Sequence, residues 1–263
     1  MRWNYSDANA TLGAMNKFFC SVFIAAATTA MAADTPLAPT PPMGWNSWNT
    51  FGKEINEVVV KGVADAIVSL GLRDLGYQYV VIDDHWEDGR DEQGHIRYNA
   101  KKFPGGMKAL ADYIHDKGLK FGIYSCAGDK TCGGEVGSYG YEEDDAKTFA
   151  SWDVDYLKYD YCRAPKDFQE AIRRYTKMGN ALKATGRPIV FSICEWGPRS
   201  PWLWGRMAGG HLWRISFDVG DMWDTPHNVR SLIGILAAID ASANLESHAG
   251  PGGWNDQIGR AHV

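Results

Sequence analysis

The chain has 263 residues, enough for one large domain such as an α/β barrel of roughly 250 residues. Hydrophobic residues make up 45% and the formal net charge is −5. With no clustered Lys/Arg, these values support a globular core and exclude a nucleic-acid partner, leaving neutral substrates. The 11 tryptophans suit either stacking on sugar rings or a Trp-rich core.

Residues 1–32 read as a secretory leader outside the fold. A short basic start at Met15–Lys17 precedes an apolar stretch over 18–27. Ala30-Met31-Ala32 then offers small residues for cleavage. The stretch is too short for a permanent span of about 20 residues. Residues 1–14 precede it awkwardly and fit a start codon placed too early. The expected destination is secreted or periplasmic, with no membrane contact once the leader is removed. Cys20 would leave with the leader, and an oxidising compartment then permits disulfides among Cys126, Cys132, Cys162 and Cys194. Four cysteines allow three complete pairings, and the spacing chooses none of them.

Residues 33–42 (ADTPLAPTPP) are a Pro-rich lead-in. From there to 256, short apolar runs alternate with amphipathic stretches. The pattern predicts strands over 43–46, 79–83, 120–125, 156–160, 189–195, 212–218 and roughly 245–249. It predicts helices over 57–72, 105–117, 142–152, 167–185 and 227–242, with a shorter one over 202–207. Gly71, Gly118 and Gly186 stand where helix C-caps are expected. This alternation means a parallel sheet. No G-x-G-x-x-G follows the first strand, so a dinucleotide fold loses support. Polar residues recur at strand C-terminal ends, the rim where a (β/α)8 barrel collects its chemistry.

The chemistry-bearing residues follow from that rim. Tyr156-Leu157-Lys158-Tyr159-Asp160 ends a buried strand in a Lys-x-Asp pair. Residues two apart share a face, so the ammonium of Lys158 is expected to lower the pKa of Asp160. Asp218 ends another run, Trp213 to Asp218, with Asp221 and Asp224 as nearby rivals, of which helix N-capping explains Asp224 more simply. Two carboxylates on different strands meet the requirement of a retaining glycosidase for a nucleophile and an acid/base. A structural ion pair explains Lys158 and Asp160 equally well. Asp83-Asp84 could accept bonds from sugar hydroxyls, or form a structural turn. A hard cation needs more oxygen ligands than these two, and His85 has no second His at zinc spacing. Cys194-Glu195-Trp196 offers a carboxylate and a stacking indole at a fourth strand end, and a capped strand end explains it equally well. Gly44 to Asn49 (GWNSWN) could wall a sugar pocket or plug the barrel.

Together these segments resemble glycoside hydrolase family 27, the α-galactosidases. The resemblance rests on GWNSWN (44–49), IDDHW (82–86), FPGGMK (103–108), KFGIYS (120–125), KTCGG (130–134), YLKYDYC (156–162), SICEWG (192–197), WRISFD (213–218) and AGPGGWND (249–256). It implies a (β/α)8 TIM barrel that cleaves terminal α-linked galactose from oligosaccharides or polysaccharides with retention, without metal or organic cofactor. It implies Asp160 as nucleophile and Asp218 as acid/base. It implies Trp45, Asp83, Asp84, Tyr124, Lys158, Cys194, Glu195, Trp196 and Arg214 as lining of the galactose pocket. It pairs Cys132 with Cys162. The carboxylate of Glu195 would suit the 2-hydroxyl, favouring α-galactosidase over α-N-acetylgalactosaminidase. A β-L-arabinopyranosidase is an alternative to be sought at Asp84 and His85, near the expected 6-hydroxyl. A galactoside-binding barrel without catalysis and an inactive fragment are further alternatives.

The sequence departs from the family pattern in two places. Cys126 stands where many members carry Asp. After Asp256 the tail 257–263 is unlike the family, and the eighth strand and C-terminal β-domain are not matched. The expectation is therefore an incomplete barrel over 43–256 with about seven strands.

Overall fold

A computed structural model describes residues 36–225 and 232–256. The expected leader (1–32), the start of the lead-in, residues 226–231 and the tail 257–263 lie outside the described residues.

The barrel strands in chain order are β1 (Met43–Asn46), β2 (Tyr77–Val81), β5 (Lys120–Cys126), β6 (Tyr156–Asp160), β7 (Val190–Cys194), β8 (Leu212–Arg214) and β11 (Trp254–Asp256). They form one parallel sheet in the order β1-β2-β5-β6-β7-β8-β11. Strand order thus follows chain order, as in a (β/α)8 barrel. Among the described residues the sheet has seven strands, one short of closure.

The connecting helices are α1 (Trp48–Phe51), α2 (Glu57–Ser69), α3 (Gly106–His115), α4 (Glu142–Ser151), α5 (Phe168–Ala184) and α6 (Ile235–Ser242). Local chemistry explains their ends. Asn56 caps α2 by accepting from the Val59 N–H at 3.1 Å, and Asp167 caps α5 by accepting from Glu170 at 2.7 Å. Helix α4 opens with Glu142, Glu143, Asp144 and Asp145, negative charge at the positive end of the helix dipole. Gly71, Gly118 and Gly186 sit at positive φ just past their helices, as expected of C-cap glycines.

Strand alternation divides the core in two. Leu157, Tyr159, Phe191 and Ile193 pack with helix residues such as Val60, Leu110, Phe149 and Tyr175. The opposite face groups Tyr79, Val81, Tyr156, Val190 and Leu212. Tyr156, Lys158 and Asp160 alternate with Leu157 and Tyr159, so Lys158 and Asp160 belong to that second, inner face.

The structure corrects several sequence expectations. The segment expected as a strand over 245–249 holds a 3-10 turn at Glu246–His248, and the seventh strand is β11. β11 pairs Trp254 with Leu212 and Asp256 with Arg214. The turn-rich Gly250–Gly253 stretch precedes this strand rather than following it. The expected strand 212–218 stops at Arg214, and Asp218 belongs to β9 (Asp218–Val219), which pairs with β10 (Leu232–Ile233). Helix α6 is shorter than the expected 227–242 because β10 and Gly234 precede it. The expected helix over 202–207 is one 3-10 turn at Pro201–Leu203. A hairpin, β3 (Glu87–Arg90) with β4 (Ile96–Tyr98), was not anticipated. Arg90 docks it onto α4 through two bonds to buried Asp145, at 2.6 and 2.8 Å.

Candidate active site

Nine of the expected pocket and catalytic residues surround one cavity of about 330 Å³. Asp83, Asp84, Tyr124, Lys158, Asp160, Cys194, Trp196, Arg214 and Asp218 line it, together with Cys132, Trp48 and Phe217. Most stand at or just beyond the C-terminal ends of β2, β5, β6, β7 and β8. Register accounts for the grouping: Lys158 pairs with Tyr124, and Asp160 pairs with Cys126 and Cys194 across adjacent strands.

Asp160 is buried. Its Oδ1 accepts the Tyr161 N–H at 2.8 Å and its Oδ2 accepts the Tyr124 hydroxyl at 3.1 Å. Lys158 does not pair with it. The Lys158 ammonium donates instead to Asp83 Oδ2 at 2.6 Å, where Asn46 donates as well at 2.8 Å. This reverses the expectation for Asp160. Burial pushes its pKa up to about 6, outweighing the opposing pull of Lys158 and the Tyr161 N–H. Burial likewise opposes the charge of Lys158, but Asp83 and its other neighbours prevail and raise its pKa.

Asp83 and Asp84 turn the chain out of β2. Asp83 Oδ1 accepts the Asp84 N–H at 2.9 Å, and Asp84 Oδ1 accepts the His85 N–H at 2.9 Å. Asp84 Oδ2 takes the Gly133 N–H at 2.7 Å. A Cβ at Gly133 would come within 3 Å of the His85 ring and Asp84 Oδ2, so those side chains would have to shift to admit one. Burial raises the pKa of Asp84, with the Gly133 N–H opposing.

Asp218 lies in the same lining and accepts from Arg214 Nη2 at 3.0 Å. Arg214 is itself buried and donates to the Ser216 carbonyl at 3.0 Å. Trp196 reaches the cavity from a backbone at φ 62°, a conformation that a bulky residue adopts only where its surroundings enforce it. Cys132 and Cys162 form a disulfide, with Cys126 and Cys194 free and buried. With Cys126 and Cys194 unbridged, none of the three complete pairings forms; the one bond is the one the family resemblance implies. The bond ties the loop after β5 to the end of β6 and sets Cys132 Sγ 3.6 Å from Asp160 Oδ2.

Two expected lining residues lie elsewhere. Trp45 is within β1, paired with Val80, and packs edge-on against Phe51. Trp48, three residues on and past the strand end, takes the cavity position and stacks on His85. Glu195 is fully buried and turned away. Its carboxylate is engaged by Arg199 Nη1 at 2.9 Å and by the N–H groups of Gly197 and Arg199. Cys194 ends β7 facing the cavity, whereas Glu195 lies in the bend beyond it and folds its carboxylate back onto Gly197 and Arg199. Glu195 therefore gives no support to a contact with a sugar 2-hydroxyl. Phe217 is not singled out by the sequence, and Trp48 only as part of the GWNSWN segment. The rim rule, applied strictly, selects Trp48 over Trp45.

Comparison with known proteins agrees with the sequence resemblance. The profile of the alpha galactosidase A family, Melibiase_2, matches residues 40–259. The chain belongs to this family. An α-galactosidase A from Cellvibrio japonicus is 50% identical over 224 residues, covering 84% of this chain and 54% of that protein. An α-galactosidase from Cyamopsis tetragonoloba is 51% identical over 227 residues, covering 85% of this chain and 52% of the relative. The solved structure of a Saccharomyces cerevisiae α-galactosidase with raffinose superposes with TM-score 0.80 at 38% identity, over 84% of this chain and 52% of that one. The likeness confirms the incomplete (β/α)8 barrel. The chain spans about half the length of the curated family members it matches. Among the described residues, no helix is long and apolar enough to cross a membrane.

Proposed function

We propose that the chain is the catalytic barrel of a retaining α-galactosidase that removes terminal α-linked galactose from oligosaccharides or polysaccharides. The observation that carries this reading is the placement of Asp160 and Asp218, from different strands, in the wall of one cavity. The relatives named α-galactosidases at about 50% identity support the choice of sugar.

In the proposed cycle Asp160, ionised, attacks the anomeric carbon while protonated Asp218 donates its proton to the leaving glycosidic oxygen. The C–O bond breaks and a galactosyl ester forms on Asp160. Asp218, now a carboxylate, takes a proton from water, whose oxygen attacks the same carbon and releases Asp160. A pKa near 6 keeps Asp160 ionised at neutral pH while making it a better nucleophile than an exposed aspartate. Asp83 and Asp84 would accept sugar hydroxyls, and Trp48 and Trp196 would pack against the C–H faces of the ring. The reaction needs no cofactor. A secreted or periplasmic site of action fits the disulfide beside the nucleophile.

The test is galactose release from melibiose by the purified protein, with Asp160→Asn and Asp218→Asn as comparisons. Turnover in the parent and its loss in both variants is expected. Substantial turnover by Asp160→Asn sinks the assignment. Tight galactose binding without hydrolysis would instead support a binding barrel.

A further inference from the structure

Trp48 lines the cavity from helix α1, which has only 4 residues and buries none of them. So short a helix does not fix the indole by its own packing. The indole instead lies nearly parallel to the imidazole of His85, with ring centroids 6.1 Å apart and planes at 10°, the spacing of an offset stack. His85 itself lies outside the cavity lining. We propose that His85 is a positioning residue. Anchored by Glu135, it holds the Trp48 indole in the orientation in which a sugar ring packs against it, and so sets substrate affinity without touching the reacting atoms.

Neighbouring contacts fix the imidazole. Its Nδ1 lies 3.0 Å from Glu135 Oε1. A carboxylate only accepts, so Nδ1 carries the hydrogen. Glu135 is held in turn through its backbone. Its N–H donates to Thr131 Oγ1 at 2.9 Å, and its carbonyl accepts the Thr131 N–H at 2.9 Å. Gly133 closes the Nε2 edge of the ring, where a Cβ would come within 3 Å. The His85 backbone is tied as well: its N–H donates to Asp84 Oδ1 at 2.9 Å and its carbonyl accepts the Lys102 ammonium at 3.0 Å. These bonds support a φ of 74°, a left-handed conformation that persists where the surroundings enforce it.

The same contacts reach α1. The Lys102 ammonium also donates to the Lys53 carbonyl at 2.7 Å, in the 3-10 turn Gly52–Glu54 that follows the helix. At the other end the Trp48 N–H donates to Asn46 Oδ1 at 3.0 Å, and Asn46 donates to Asp83 at 2.8 Å. The backbone of Trp48 is thus tied to β1 and to the end of β2, and its ring rests on His85. Removing the imidazole leaves the backbone ties and frees the indole to sample other rotamers. Ordering those rotamers on binding then weakens affinity. An interaction used equally in the ground and transition states changes KM and leaves kcat alone. The role rests on the glycosidase reading for its substrate, while the contacts stand without it.

The test is a double-mutant cycle between His85→Asn and Trp48→Ala, read in KM and kcat for melibiose. Asparagine tolerates positive φ, and its amide can donate to Glu135 as Nδ1 does, so the ring is what the variant removes. His85→Asn should raise KM about fivefold with kcat within about twofold of the parent. In the Trp48→Ala background the same change should alter KM by less than about twofold, because His85 acts through the indole. Glu135→Ala should also raise KM, and Glu135→Gln, which still accepts the Nδ1 hydrogen, should recover most of the loss. Additive effects in the cycle would overturn the proposal, as would an unchanged KM in His85→Asn or a fall in kcat as large as the rise in KM. If His85→Asn lacks the parent's cooperative melt, the Glu135 variants decide, and an equal KM for Ala and Gln there overturns the proposal. If the parent does not hydrolyse melibiose, the functional reading fails, and the same cycle is read as Kd for galactose by calorimetry. A parent that binds no galactose overturns both.

Discussion

Replacing Asp160 with Asn should make the protein more stable at neutral pH while it removes turnover. The pKa of Asp160 rises from 3.8 to about 6 on folding, chiefly through burial. About two units at about 1.4 kcal/mol each is a penalty of roughly 3 kcal/mol for keeping the buried group ionised. The sign follows from proton linkage. Between about pH 4 and pH 6 the unfolded chain has released this proton and the folded chain still holds it, so stability falls as pH rises through that window. Above pH 6 the full penalty applies. Asn removes the charge but leaves one oxygen where two accepted the Tyr161 N–H and the Tyr124 hydroxyl. Losing part of that network costs about 1 kcal/mol. The net gain near pH 7.5 is then about 1–2 kcal/mol, a rise in melting temperature of about 2–8 °C for a domain of this size. Near pH 4.5 most of the gain disappears, because the parent is itself largely protonated. Thermal melts of both proteins at the two pH values provide the measurement. A variant less stable than its parent at neutral pH, or an equal gain at both, would refute the burial argument.

Further predictions concern neighbouring residues. The kcat/KM profile should show an acidic limb near pH 6, set by ionisation of Asp160, and a limb lower by two units would contradict the pKa. Lys158→Met leaves the Asp83 carboxylate buried without its ion-pair partner. It should cost about 3–5 kcal/mol in denaturant titration, and a loss under 1 kcal/mol would show the pair to be unimportant. Trp48→Ala should raise KM for melibiose at least tenfold with little change in melting temperature. Trp45→Ala should lower the melting temperature instead, so equal effects on KM would undo the distinction between the two indoles. Glu195→Gln should lower stability by weakening the Arg199 pair, with KM changed less than threefold.

The order of the barrel was legible because buried parallel strands produce short apolar runs separated by amphipathic helices. β1 and β6 were bounded correctly, and β2, β5 and β7 to within two residues at each end. The misses have local causes. β11 is three residues long, Trp254–Asp256, too short for an apolar run, so the neighbouring 245–249 segment carried the stronger strand pattern. The run 212–218 looks continuous in sequence, but only Leu212–Arg214 pairs with β7 and β11. The β3–β4 hairpin is polar, and its signal was confined to the Gln93-Gly94 turn. At the site, residue type and rim position found the acids. Strand alternation places Lys158 and Asp160 on one face, but Glu195 lies past the end of β7, where a bend that spacing does not reveal folds its carboxylate onto Gly197 and Arg199. The shift on Asp160 was unreadable from spacing, since it depends on depth of burial and on Lys158 choosing Asp83.

The most direct test of the central claim is covalent. A galactose-configured epoxide alkylates the carboxylate that attacks the anomeric position, and peptide mass spectrometry locates the adduct. The proposed mechanism predicts one adduct per chain, on the peptide containing Asp160, absent from Asp160→Asn. An adduct on Asp218 or on another carboxylate would contradict it.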